Sequence, residues 1–236
     1  MTEARSDILN RIRRRRGATP PQHEINEALA ELGMAPPAPE TEGCPIQALE
    51  RQLQENHISV EHASNRASAV QSIARYVYQS YRNYRVVAGN DARLAAMPWR
   101  DGGVLVRFGA AAPQDRLAIT YALLGVVESG SLAVFSSRHN PGSNNWLPQD
   151  HIVLCDASDI VADYEHAWRE LRQHQSKLGA PRGIHFISGP SATADIGFQM
   201  VFGAHGPQRL HVIIIGAPED LPPEDEPKKD SDHETV

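Results

Sequence analysis

Apolar residues recur at helical spacing in five stretches of this chain, and in alternating or short solid runs in eight others. The spacing predicts helices over Thr2–Arg16, Glu24–Leu32, Ile46–Asn56, Ala67–Tyr81 and Ile160–His174. The clearest is 67–81, where Val70, Ile73, Ala74, Val77, Tyr78 and Tyr81 fall on one stripe. Asp159 is the expected cap of the last helix. Strands are predicted at His57–Glu61, Arg85–Ala88, Gly103–Phe108, Leu123–Val127, Leu132–Phe135, Ile152–Leu154, Ile184–Ile187 and Leu210–Ile215. The run His211–Ile215 lacks alternation, as expected of a strand buried on both sides. Helices alternating with short apolar strands point to an α/β fold with a mostly parallel sheet covered on both faces.

Punctuation divides the chain into three parts. Residues 1–45 hold the first helices and a linker with Pro36, Pro37, Pro39 and Pro45. Residues 46–217 carry the α/β pattern, and 218–236 form an acidic, proline-rich tail expected to be disordered. The run Arg13–Arg16 suits either a solvated helix end or a contact with an anion or partner.

Composition removes several function classes. Of 236 residues, 41% are apolar, which supplies a core, and the net charge of -6 gives no reason to expect nucleic acid. No run reaches the ~18 apolar residues of a membrane span, and no signal peptide opens the chain, so a cytoplasmic location is expected. Two cysteines far apart, Cys44 and Cys155, supply neither a disulfide framework nor an iron–sulfur site with its four close thiolates. Phosphate-loop and dinucleotide fingerprints are absent from the sequence. His139, His151, His185, His205 and His211 have no metal-site spacing, and no metal is expected.

Three segments carry a resemblance. They are Gly125-Val-Val-Glu-Ser-Gly-Ser-Leu132, Leu147-Pro-Gln-Asp-His-Ile152, and Ser188-Gly-Pro-Ser-Ala-Thr-Ala-Asp-Ile196 continuing through Gly203-Ala-His-Gly-Pro207. In order and spacing they resemble the LutC/YkgG family of LUD-domain proteins. Ser129 and Ser131 stand where threonines are common in that family and keep the hydroxyls, whereas Ala192 and Gly197 replace a basic and an acidic residue. The resemblance implies a Rossmann-like three-layer sandwich similar to the NagB/RpiA/CoA transferase-like fold. It also implies a role in oxidising L-lactate to pyruvate beside LutA-like and LutB-like subunits, which carry the iron–sulfur clusters while this chain carries no cofactor.

Several residues invite chemistry. Glu128, between two strands and beside Ser129, Gly130 and Ser131, is either a turn residue or a base, nucleophile or ligand acceptor at a strand end. The related CoA transferases use a glutamate near a glycine as nucleophile, which leaves open a stand-alone acyl-transfer enzyme. Gly189, Pro190, Ser191, Thr193 and Asp195 form a hydroxyl-rich loop that suits either a turn or a cradle for phosphate or carboxylate. Arg138, ahead of a flexible Asn-Pro-Gly-Ser-Asn-Asn loop, offers a two-point clamp for a carboxylate. His205, beside Gly206, is the histidine best placed by its glycines to face a pocket, and Trp146 is a candidate interface residue. A small-carboxylate sensor is a third reading. All three readings expect the Glu128 loop and the Ser191 loop to converge at one sheet edge.

Overall fold

The computed structural model describes residues 2–16, 20–31, 43–178, 181–194 and 200–216. They fall into two compact units, Met1–Pro37 and Ala38–Val236. The first holds α1 (Thr2–Arg16) and α2 (Gln22–Glu31), with Ile8, Leu9 and Ile12 of α1 exposed. The second begins with α3 (Pro45–Glu55), β1 (Ser59–Ala63), α4 (Arg66–Tyr81), β2 (Arg85–Ala88), α5 (Ala92–Ala95) and β3 (Leu105–Phe108). It continues with β4 (Leu117–Tyr121), β5 (Leu124–Val126), β6 (Ser131–Ser136), β7 (Asp150–Asp156), β8 (Ile160–Val161) and α6 (Tyr164–Leu178). β9 (Gly183–Ile187), β10 (Ala192–Ala194), β11 (Met200–Phe202) and β12 (Arg209–Ile215) complete it. Most of the linker and the acidic tail lie outside the described residues.

A six-stranded sheet in the order β1-β12-β7-β4-β2-β3 forms the centre, and every neighbouring pair is parallel. One face is covered by α4, whose Val70, Ile73 and Val77 recur at helical spacing and pack on Ile119, Ile152 and Ile213. This helix starts on a capping box, in which Asn65 and Ser68 satisfy each other's backbone N–H. The other face departs from the expectation of helices alone. There α3, through Leu49 and Leu53, shares the cover with a second sheet, through Leu132 and Val134, against Val153, Val212 and Ile214. That second sheet runs β8-β5-β6-β9, with β5/β6 and β6/β9 antiparallel. Helix α6 closes its far side with Ala167 and Leu171. The result is an α/β sandwich with an added sheet.

Three local expectations need correction. The segment from Ile160 does not start a helix, because Ile160 and Val161 pair with Gly125 and Val126 as β8. The helix starts at Tyr164 and Asp163, not Asp159, caps it, accepting the His166 N–H at 2.8 Å. The hairpin around Glu128 is not a two-residue turn: Val127–Ser129 make a 3-10 turn closed by Gly130 at φ +58°. The Asn-rich loop is held in place, with Asn144 accepting from Ala111 N at 2.7 Å and donating to Gly109 O at 3.1 Å.

Candidate functional site

The two glycine-punctuated loops do converge, at the end of the second sheet where β5 and β9 finish and β6 begins. Cross-strand pairing of Leu132 with Ile187 brings Ser131 beside Ser188. Their hydroxyls lie 2.6 Å apart. Ser131 Oγ is also 2.7 Å from Ser129 Oγ and 3.0 Å from the Tyr164 hydroxyl, which accepts from Ser129 at 3.0 Å. Four hydroxyls, from the turn after β5, from β6, from α6 and from the residue after β9, thus share one hydrogen-bonded group, with Ser131 fully buried. Such a group relays protons readily, since each hydroxyl both donates and accepts. Ser188 and Tyr164 were not among the candidates from sequence; the signal that could have found Tyr164 is its place as the first residue of an amphipathic helix.

Both loops rest on the residue that caps the C-terminal end of α3. Asn56 Nδ2 donates to Ser129 O at 2.9 Å. A Cβ on Gly130 would lie 2.8–2.9 Å from Asn56 Nδ2 and from Gln52 backbone and side chain, and one on Gly189 would lie 3.1 Å from Asn56 O. These glycines are small because the end of α3 packs against them.

Glu128 is exposed, and its carboxylate accepts the Tyr164 N–H at 3.0 Å. A carboxylate there meets the positive end of the α6 dipole, so the side chain has a structural task. Arg138 lies at the other end of β6, roughly 20 Å along a strand of this length, so it does not reach the Glu128 loop. Arg138 is exposed and has no ion pair among the described residues. In the third segment, Ser191 N donates to Pro207 O at 2.8 Å and His205 N donates to Ser191 Oγ at 3.2 Å. That binds His205 and Gly206 to the Ser191 loop, although the His205 side chain is exposed. Pro190 borders a cleft of about 420 Å³ whose lining includes His57, Ser59, Tyr76, Phe202 and Arg209. Thr193 pairs with Val201 in the β10–β11 ribbon, and Asp195 lies outside the described residues.

A second cluster went unnoticed in the sequence because it is assembled from distant positions. Asp150 and Arg209 head neighbouring parallel strands, and Arg209 donates twice to the fully buried carboxylate at 2.8 Å. The Tyr76 hydroxyl adds a bond at 3.2 Å. Burial, then the Asp150 charge, pushes the Tyr76 hydroxyl well above its ordinary value, and burial pushes Tyr81 up to about 12. His211 stacks on Tyr76 at 4.8 Å with Nδ1 2.8 Å from Ser59 Oγ, and burial lowers its basicity. A charged residue heading each of two solidly apolar strands was the available signal. Among the described residues no group of three or more His, Cys, Asp or Glu side chains is arranged to hold a metal ion. No helix among them is long and apolar enough to cross a membrane.

Residues 112–215, which hold all of this hydroxyl group and most of the converging loops, match the LUD domain family. Similar proteins named lactate utilization protein C include one from Exiguobacterium sp., 28% identical over 150 residues, 60% of this chain and 65% of that protein. Another, from Shouchella clausii, is 36% identical over 99 residues, 42% of this chain and 43% of that protein. A third, from Bacillus subtilis, is 33% identical over 105 residues, 44% of each. The chain therefore spans between under half and about two-thirds of the length of these relatives. The fold resembles a crystal structure of a DUF162 family protein from Deinococcus radiodurans, with TM-score 0.55 and 17% identity, covering 75% of this chain and all of that one. Residues 112–215 are thus similar to the LUD domain family, and the chain is similar over part of its length to proteins named lactate utilization protein C.

Proposed function

We propose that this protein acts in lactate utilisation as a component without an iron–sulfur cluster of its own, working with LutA-like and LutB-like cluster-bearing subunits. The observation that carries the reading is the similarity to proteins named lactate utilization protein C, together with the LUD domain match over residues 112–215, whose loops converge at the second sheet. Two electrons leave lactate when it becomes pyruvate, and a redox cofactor must accept them. Cys44 and Cys155 cannot supply four thiolates, so the clusters belong to partners.

The test has two parts. A strain deleted for this gene fails to grow on L-lactate but grows on pyruvate, and the full-length gene restores growth. A tagged full-length chain purified from its own cells brings down proteins with the visible absorption of iron–sulfur clusters. Normal growth of the deletion strain on lactate would defeat the proposal.

A further inference from the structure

The main sheet ends at β3, whose outer edge is open. In a parallel ladder, alternate residues of a strand bond to alternate sides. Leu105 N donates to Tyr84 O at 2.8 Å and Gly109 N to Ala88 O at 2.8 Å. Residues 105, 107 and 109 therefore turn their backbone groups toward β2. Outward-facing Val104 N is taken by Trp99 O at 3.0 Å. Val106 and Phe108 point their N–H and C=O away from the sheet, and among the described residues no strand pairs with them there.

Proteins usually guard such an edge with charge, proline, a bulge or a covering element. The opposite edge of this sheet is guarded in that way: on β1, Glu61 pairs with Arg75 of α4, and His62 bonds Glu50 of α3 at 2.9 Å. Strand β3 is not. Leu105 is 62% exposed and Phe108 41%, and the strand's one charge, Arg107, is tied to Asp115 and to Ala110 O. A cleft of about 1150 Å³ runs beside the strand, lined by residues 104–108 without a break. It keeps the approach to the edge clear.

The spacing of the free groups selects what pairs here. Two open residues flank one closed residue, the pattern that an antiparallel two-fold axis requires. With the axis at Arg107, Val106 of one copy faces Phe108 of the other, and the two exchange both hydrogen bonds. The symmetry-related pair does the same. Val106 shares its face of the strand with Phe108 and packs on the α4 core, so the two pairs make one apolar strip across the axis. On the other face, Leu105 meets Gly109 of the second copy, where no side chain obstructs it. The two Arg107 side chains meet on the axis, each already neutralised by Asp115 of its own chain. Every position of the strand thus finds its complement in the same sequence. We propose that β3 is a homodimer interface, in which two copies pair antiparallel about Arg107 and their six-stranded sheets become one. The lactate-utilisation reading makes no use of β3, and the two proposals fail separately.

Sedimentation velocity of the full chain tests the association. A species of twice the 26.0 kDa chain mass should grow with protein concentration. Phe108→Lys sets an ammonium in the apolar strip and weakens the dimer at least ~tenfold, with far-UV circular dichroism unchanged. Register is read separately, in a Cys44→Ser background. Arg107→Cys places two thiols opposite each other on the axis, ~4.5 Å apart at Cα and within disulfide reach. Mild oxidation should link two such chains, whereas Leu105→Cys, with its thiols roughly 14 Å apart along the strands, stays unlinked. Should the lysine disturb the fold, the cysteine pair decides alone. A chain that stays monomeric at every concentration overturns the inference and leaves the edge to a foreign strand. A dimer that Phe108→Lys leaves intact overturns it too, as does linkage through Leu105→Cys as fast as through Arg107→Cys.

Discussion

His151 shows how one side chain couples burial to pH. It is fully buried, and burial lowers its pKa from 6.5 to about 3. The folded value lies below the unfolded one, so the unfolded chain takes up the proton first as pH falls. Stability is therefore complete above about pH 6.5 and is lost between there and pH 3, at up to ~1.4 kcal/mol per pH unit. Asp159 works the other way: burial raises it to about 6, against Arg93, so its contribution declines as pH rises toward that value. The difference between wild type and His151→Gln isolates the histidine. Urea titrations from pH 7 to pH 4.5 should show a shallower acid loss in the variant; equal slopes would mean that His151 takes up its proton as readily in the folded chain as in the unfolded one. Gly130 is the second decisive residue, combining φ +58° with the close approach of Gln52 and Asn56. Gly130→Ala is expected to cost ~2 kcal/mol or more, read as a lower urea midpoint at unchanged m-value.

Among the elements, α6 depends on a residue far away in sequence. Glu128 and Asp163 both serve its first turn, Glu128 from the turn between β5 and β6. Glu128→Ala should lower stability by ~1 kcal/mol and speed amide exchange in the first turn of α6 without touching the main sheet. Exchange unchanged at Tyr164 would show that the cap contributes nothing. The same region shows what the sequence made legible. Helices α1, α3 and α4 stand out by periodicity and lie within a residue of their predicted bounds. Strand β4 was not foreseen, because residues 117–127 form one nearly unbroken apolar run without a turn signal to part β4 from β5. The start of α6 was placed four residues early because Ile160 and Val161 fit a helical stripe as well as a strand, and only pairing with β5 decides between them. Of the candidate site, the approach of the Ser129–Ser131 and Ser188–Ser191 loops was foreseeable. The roles of Asn56 and Tyr164 were not, since each arises from contacts across long sequence separations.

At the scale of the whole molecule, the order β1-β12-β7-β4-β2-β3 is more than a label. Strand β1 has a single neighbour, β12, and Ser59 meets His211 across 152 positions of chain. β12 in turn is wedged between β1 and β7. As a nascent chain leaves the ribosome, β1 waits with its backbone groups unpaired while nearly everything else is made. The sheet exists until then as two fragments with a gap one strand wide. Each fragment exposes a bare rim able to recruit foreign strands. A premature stop anywhere before Arg209 would leave that gap permanently open, so loss of this one strand disables the entire sandwich rather than merely trimming it.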